Sequence, residues 1–149
     1  MKKHIKRILA ITLMLCLCGM PVFSVSAASN SKNEVMPYLN NAATVSTNMS
    51  INSSGKMTIT YNVAGYSSLT TKIVITTYIE KRTLGLFWTR VDNGQTDDQW
   101  VDTIKDYKYN GVRNYNLSSS GTYRVTVAYK IYGSGGSADN VEQQIKDSY

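Results

Sequence analysis

Apolar and polar residues alternate along most of this 149-residue chain, and this period of two limits its fold more than any other feature. Successive side chains of a strand point to opposite faces, so an alternating run predicts a strand with one buried face. After the first 41 residues, no run of ten residues repeats its apolar positions at helical spacing. The sequence therefore predicts an all-β domain.

The best-defined local unit is a hairpin. Residues 45–51 alternate, as do residues 57–63, and Asn52-Ser53-Ser54-Gly55 lies between the two runs. Glycine in such a turn supplies a positive φ. Two alternating runs around a short glycine turn predict two antiparallel strands.

Further extended segments follow at regular intervals. Residues 72–82 are rich in β-branched residues on both faces, which predicts a central strand. The other predicted strands are residues 86–91, 99–104, 122–132 and 141–149. Residues 105–116 are polar with interspersed tyrosines, and we expect a long connection there. About seven short strands separated by turns predict an immunoglobulin-like antiparallel β-sandwich over residues 42–149, preceded by a flexible leader at residues 29–41.

The first 28 residues have the order of a secretory signal. Four basic residues lie within residues 2–7, residues 8–25 are almost wholly apolar, and Val25-Ser26-Ala27 provides small or compact residues for cleavage. We expect the mature chain to begin near Ala28 or Ser29 and to be secreted to the extracellular space.

Removal of this signal changes the chemistry available to the chain. The 16 basic and 10 acidic residues of the precursor become a mature chain of net charge about +2, which argues against a nucleic-acid partner. Cys16, Cys18 and His4 leave with the signal. We therefore expect no thiol or histidine catalysis, no metal or other cofactor, and no enzymatic activity. No second apolar run is long enough to span a membrane after cleavage.

One motif resembles a known family. The segment from Leu117 through Gly121 to Tyr123 and Val125 is similar to the E–F corner of immunoglobulin-like and fibronectin-type sandwiches. The resemblance implies that the Tyr123 hydroxyl bonds to a backbone group a few residues upstream, near Leu117. In immunoglobulins a cysteine stands two positions after this tyrosine, where this chain has Val125. A buried strand tyrosine without a corner is the alternative.

A wider resemblance covers most of the mature chain. Residues 79–82, Leu86-Phe87-Trp88, Trp100 and residues 120–127 together look like the small secreted β-sandwich domains of Gram-positive bacteria. This likeness implies secretion and fold, and it implies no activity.

Five aspartates lie between the predicted strands: Asp92, Asp97, Asp98, Asp102 and Asp106. Carboxylate-rich loops can hold calcium, and paired carboxylates can hydrolyse glycosides. The spacing lacks the alternating ligands of a calcium loop, which favours a solvated turn.

Aromatic residues supply the candidate contact site. Leu86 and Trp88 share one face of a predicted strand, and Phe87 and Val91 share the other. We expect Phe87 and Val91 to face the core, which leaves Trp88 partly exposed beside Trp100. The candidate ligand contacts are Trp88, Trp100 and Leu86, since flat aromatic area stacks on sugar rings and anchors protein interfaces. Burial of both tryptophans in the core is the alternative.

These observations favour a secreted binding or adhesion module that recognises a cell-envelope glycan, a host glycan or an extracellular protein. A small secreted effector or inhibitor of another protein is the second hypothesis. A surface of aromatic residues favours the first, and a rigid protruding loop would favour the second.

Overall fold

A computed structural model describes residues 39–149, which form antiparallel sheets and one short 3₁₀ turn, Thr96–Asp98. The predicted signal and the leader up to residue 38 lie outside the described residues. The strands are β1 (Ala42–Ile51), β2 (Lys56–Gly65), β3 (Thr70–Thr83), β4 (Phe87–Arg90), β5 (Trp100–Ile104), β6 (Lys108–Asn116), β7 (Thr122–Gly133) and β8 (Asp139–Ser148). No helix among these residues has the length and apolar character needed to cross a bilayer.

The strands make two sheets. The small sheet has the order β1-β2-β6, and the large sheet has the order β4-β3-β7-β8. Strand β5 also pairs with β3, at residues 73–77, whereas β4 pairs with residues 80–83. Strands β4 and β5 therefore share one edge of β3, one after the other.

The two sheets pack face to face through their alternating apolar residues, as in a β-sandwich. Two tyrosines cross the interior. The Tyr61 hydroxyl of the small sheet lies 3.1 Å from Oγ1 of Thr77, and the Tyr129 hydroxyl of the large sheet lies 2.6 Å from Oγ1 of Thr47. The largest fully buried side chains are Tyr61, Tyr123, Tyr129, Met57, Ile59, Ile73, Ile75, Ile79 and Ile131, with Val63, Val125 and Val127.

The sequence predicted most of these strands. The β1–β2 hairpin is confirmed, with Ile51 opposite Met57 and Gly55 at a φ of 75°. Strand β3 is central, as predicted, with neighbours on both edges.

The predicted long connection at residues 105–116 is wrong, because residues 108–116 form β6 and pair with all of β2 up to Ala64. The inward face of β6 carries Tyr109, Gly111, Arg113 and Tyr115 in place of aliphatic residues. Its alternation is therefore invisible to a search for apolar residues.

Side chains of β8 cover the free edge of β1. The Asp139 carboxylate accepts hydrogen bonds from the backbone N–H groups of Asn40, Asn41 and Ala42, at 2.7–2.9 Å. Further along, the Ile51 N–H donates to the Asp147 carboxylate at 2.8 Å. These contacts blunt an edge that would otherwise be open to another strand. They also place residues 39–41 within the domain, although the sequence assigned them to the flexible leader.

Candidate functional site

Trp88 lies on the outer face of the large sheet, opposite Arg82 of β3. The Arg124 Cζ atom lies 4.5 Å from the centroid of its ring, and the Lys146 Nζ atom lies 5.6 Å from it. Lys146 belongs to β8, which is separated from β4 by two intervening strands about 4.8 Å apart. The indole and the lysine therefore reach toward each other across the sheet, so that a half-exposed aromatic ring stands among cations.

An ion pair holds Arg124 in place. Its Nε atom donates to Oε2 of Glu80 at 2.8 Å, and its Nη2 atom lies 2.6 Å from the same oxygen. The Arg124 side chain is 19% exposed and the Glu80 side chain is 13% exposed. Water screens such a pair less than it screens a fully exposed one, so the guanidinium beside Trp88 is preorganised.

A second cation–aromatic pair lies next to the first. The Arg90 Cζ atom is 3.3 Å from the ring centroid of Tyr78. Thr126 stands between Tyr78 and Gln144 in the strand register and is fully buried, although it belongs to the outer face. Its hydroxyl has no hydrogen-bond partner among the described residues. The neighbouring side chains on this face therefore exclude water from the Thr126 hydroxyl.

The opposite end of the same face repeats the chemistry. Lys72 and Lys130 place their Nζ atoms 4.0 Å and 5.3 Å from the ring centroid of Tyr132. A shallow depression of about 310 Å³ lies between the two ends, floored by Val74, Thr76 and Ala128. The outer face of the large sheet thus has a cationic, aromatic cluster at each end.

Charge is unevenly distributed over the molecule. The outer face of the large sheet carries two acidic residues, Glu80 and Glu142, and six basic ones: Lys72, Arg82, Arg90, Arg124, Lys130 and Lys146. Asp139 and Asp147 point from β8 toward β1, and Asp102 pairs with Arg113 at 2.7 Å. Residues 39–149 contain 11 basic and 9 acidic residues, yet they present one distinctly basic face.

Trp100 does not lie beside Trp88. It pairs with the buried Thr77, packs against the core, and stands 5.7 Å from Tyr115 in an edge-to-face arrangement. The Arg113 Cζ atom lies 4.9 Å from its ring centroid. The expectation of adjacent tryptophans is therefore wrong, since the two residues face opposite sides of the large sheet.

The arginine beside Trp100 belongs to a closed ion pair. Burial lowers the pKa of the Arg113 guanidinium, but its hydrogen bond and charge interaction with Asp102 outweigh this effect and leave the pKa raised. Arg113 and Asp102 thus bridge β6 and β5 and close this side of the sandwich.

The expected core position of Phe87 is also wrong. Phe87 is 63% exposed, and Leu86 and Leu84 are 76% and 85% exposed. Strand β4 pairs only with the last residues of β3, where Arg82 and Thr83 are themselves exposed. The small sheet does not cover this part of β3, so β4 has no core to face. Only Val91, at the far end of the strand, packs against the core.

The hydrogen bond expected of a tyrosine corner is present in shifted form. The Tyr123 hydroxyl donates to the backbone carbonyl of Ser119 at 2.5 Å, two residues nearer than Leu117. The Leu117 N–H instead donates to Gly55 O at 2.9 Å. Gly121 has a φ of 148°, and a Cβ there would lie 2.9 Å from the Lys81 side chain.

Two of the loop aspartates hold turns of the backbone. Asp92 accepts from the N–H of Gly94 at 2.8 Å, and Asp106 accepts from the N–H of Tyr107 at 2.6 Å. Within residues 39–149, no three acidic, histidine or cysteine side chains converge at a spacing suited to a metal ion.

No protein-family model matches the chain, and no curated protein matches it either.

Proposed function

We propose that this chain is a secreted, non-enzymatic binding module and that it binds through the outer face of the large sheet. The observation that carries the proposal is the partly exposed Trp88 ring with the cationic groups of Arg124 and Lys146 within 4.5 Å and 5.6 Å of its centroid. Aromatic rings stack on the apolar faces of sugars, and guanidinium groups bind carboxylates, sulfates and phosphates. An acidic glycan of a cell envelope or a host surface has both features.

The shape of the face supports a polymeric ligand. Cationic aromatic clusters at Trp88 and Tyr132 lie at opposite ends of one flat surface, with a shallow depression between them. A chain that carries repeated negative charges can contact both clusters at once. Two weak contacts on one ligand raise affinity well beyond either contact alone.

The proposal of a binding role without catalysis rests on how the carboxylates are used. Glu80 and Asp102 pair with arginines, and Asp139 and Asp147 hold backbone N–H groups of β1 and the segment before it. Each of these acids is engaged in holding the structure together.

We also propose that the fold is immunoglobulin-like. The order β1-β2-β6 against β3-β7-β8 corresponds to strands A, B and E against C, F and G of that fold. Strands β4 and β5 would then be additions beside strand C. The hydrogen bond from Tyr123 to Ser119 supports the same correspondence.

Secretion remains a proposal from the leader sequence. Protein recovered from the culture medium should begin at Ala28 or Ser29, and N-terminal sequencing tests this directly.

The binding test uses residues 29–149 and two acidic polymers. Purified mucin is compared with mucin whose sialic acids have been removed, and cell wall is compared with wall stripped of its phosphate polymers. We expect retention on an acidic member of one pair and a clear loss on its neutral counterpart. Equal retention within both pairs would show that charge does not guide binding.

Trp88→Ala is the decisive variant. It should abolish retention while lowering the free energy of unfolding by less than about 1.5 kcal/mol, because a half-exposed ring contributes less than the roughly 3–5 kcal/mol of a buried aromatic. Phe87→Ala is the matched control, since it removes an exposed aromatic side chain one residue away. The proposal fails if both variants bind as the parent does.

A further inference from the structure

The tip of the β3–β4 hairpin is the most exposed apolar feature of the described residues. Leu84, Leu86 and Phe87 lie within four positions and are 85%, 76% and 63% exposed. The other large apolar side chains with high exposure, Tyr66, Val101 and Val112, stand apart from one another in the sequence. Single exposed apolar residues are common, whereas three together on a protruding turn mark an interaction site.

The backbone of this tip is also unusual. Leu84 has a φ of 52° and Gly85 a φ of 69°, and the Leu86 N–H donates to Thr83 O at 3.1 Å. Such turns prefer asparagine or glycine at the position held by Leu84, because a side chain with a Cβ is strained at positive φ. A leucine that is both strained and exposed has no folding benefit that offsets these costs.

Basic residues stand directly behind the apolar tip. Arg82 pairs with Trp88, and this pair is one position further from the tip than the pair of Thr83 and Phe87. The next row of outer-face residues lies two positions further from the tip and contains Arg90, Arg124 and Lys146. At the rise of a strand, this row is about 7 Å from the row of Arg82 and Trp88. The acidic residue in that row, Glu80, is paired with Arg124.

This order of side chains matches the profile of a lipid interface. Interfacial segments bury apolar side chains to a depth of about 5–10 Å, and tryptophan and arginine prefer the headgroup level above them. Basic residues near the surface are attracted to anionic lipids. We propose that the tip formed by Leu84, Leu86 and Phe87 inserts into an anionic phospholipid bilayer, with Arg82 and Trp88 at the headgroups.

This inference does not depend on the glycan proposal. The two proposals share Trp88 and the basic residues beside it, but glycan binding uses the outer face of the large sheet, whereas membrane insertion uses the apolar side chains of Leu84, Leu86 and Phe87 at the end of one hairpin. The hydrophobic pocket of a protein is the competing occupant of the tip, and the bilayer is favoured because the charged outer-face residues directly behind the tip are basic except for Glu80, which is paired with Arg124.

The first experiment measures cosedimentation with vesicles. Residues 29–149 are used so that the apolar segment 8–25 cannot bind lipid itself. We expect binding to phosphatidylcholine vesicles that contain about 30% phosphatidylglycerol and little binding to pure phosphatidylcholine. Absence of binding to the anionic vesicles, or equal binding to both kinds, overturns the inference.

Variants locate the contact. The double variant Leu86→Ser, Phe87→Ser should weaken binding roughly tenfold or more, because affinity scales with the apolar area inserted. The control Val101→Ser, Val112→Ser removes two equally exposed apolar side chains elsewhere and should bind as the parent does. Arg82→Glu should weaken binding more than Lys72→Glu, which changes a lysine at the far end of the same face. Unchanged binding of the double tip variant overturns the inference.

A single fluorescent label tests insertion directly. Residues 29–149 contain no cysteine, so Leu86→Cys and Val112→Cys can each carry one environment-sensitive dye. Only the dye at residue 86 should shift to a nonpolar signal on anionic vesicles. The double tip variant should still be retained by the acidic polymer. Loss of vesicle binding with retained polymer binding in this variant supports insertion of the tip, whereas retained vesicle binding overturns the membrane inference.

Discussion

The two sheets are alike on their inner faces and unlike on their outer faces. Inside, each sheet contributes one tyrosine that bonds to a threonine of the other, Tyr61 to Thr77 and Tyr129 to Thr47. Outside, the large sheet carries cations and aromatic rings. The small sheet carries serine, threonine and asparagine rows, in which Asn48 pairs with Thr60 and Ser50 pairs with Thr58.

This difference shows that folding constrains only half of each sheet. Both interiors must fill the same space and satisfy the same buried hydroxyls, so they converge on similar side chains. The outer faces contribute little to the core and are free to differ. A costly feature on one of them, such as an ion pair that is mostly withdrawn from water, therefore points to function.

The largest expected effect on stability comes from the two buried tyrosines that the sheet interiors have in common. Burial raises the pKa of Tyr61 and of Tyr129 above that of an exposed tyrosine, and their hydrogen bonds to Thr77 and Thr47 offset this only in part. The folded state thus retains protons that the unfolded chain loses. The contribution of these two tyrosines to the free energy of unfolding should be constant below about pH 10. Above that pH it should fall by up to roughly 1.4 kcal/mol per pH unit for each tyrosine.

Urea unfolding between about pH 8 and pH 11 measures this slope. Tyr61→Phe and Tyr129→Phe should each reduce it by a similar amount if the two sheets are equivalent inside. Tyr66→Phe, which removes an exposed hydroxyl, is the matched control. A slope that only one of the buried tyrosines changes would break the similarity.

The outer difference is tested by removing one cation from each face. Arg124→Ala leaves Glu80 without its partner and should cost about 2–3 kcal/mol, below the range for a fully buried pair because water reaches part of both side chains. Lys56→Ala, on the exposed side of β2 in the small sheet, should change stability by less than about 0.5 kcal/mol. Equal effects in thermal unfolding would contradict the proposed difference.

A smaller effect on stability is expected at the segment that connects β6 of the small sheet to β7 of the large sheet. Tyr123 is the second residue of β7 in the large sheet and bonds to Ser119 in the segment that arrives from the small sheet. Tyr123→Phe should cost about 1–3 kcal/mol, since it leaves a partly buried carbonyl unmatched. A change of only a few tenths would mean that water replaces the hydroxyl and that the corner does not fix the crossing.

The smallest effect is expected on the small outer face. Thr60→Val should alter stability by less than about 0.5 kcal/mol and should leave acidic-polymer retention unchanged, because Thr60 is exposed and lies on the opposite side of the sandwich from Trp88. Loss of retention in this variant would move the binding site to the small sheet.

The sequence alone was sufficient for the strands with aliphatic alternation. In β2, in β3 from Ile73 to Ile79, and along the inner face of β7 from Tyr123 to Ile131, the core residues stand two positions apart, which fixes both the strand and its inner face. It failed for β6, whose inner face is built from Tyr109, Arg113 and Tyr115. These polar groups become inward-facing only because Trp100 and Asp102 of β5 are placed opposite them.

The location of the proposed binding surface was determined only by the tertiary structure. The sequence placed Leu86 and Trp88 on one strand face, but it could not show that β4 extends past the small sheet and leaves Phe87 without a core. Nor could it separate Trp88 from Trp100, because the side that each residue faces depends on its pairing with β3.

The charges of the chain also depend on the sequence for their sum and on the tertiary structure for their location. Composition alone determines the net charge, with 16 basic and 10 acidic residues in the whole chain, and that sum is independent of the fold. Strand order determined where the charges lie, since it brings Arg90, Arg124 and Lys146 from three strands to one surface and turns Asp139 and Asp147 inward. Side-chain alternation is a local property that the chain carries in its sequence, whereas neighbours across a sheet are chosen by long-range pairing, which no local pattern encodes.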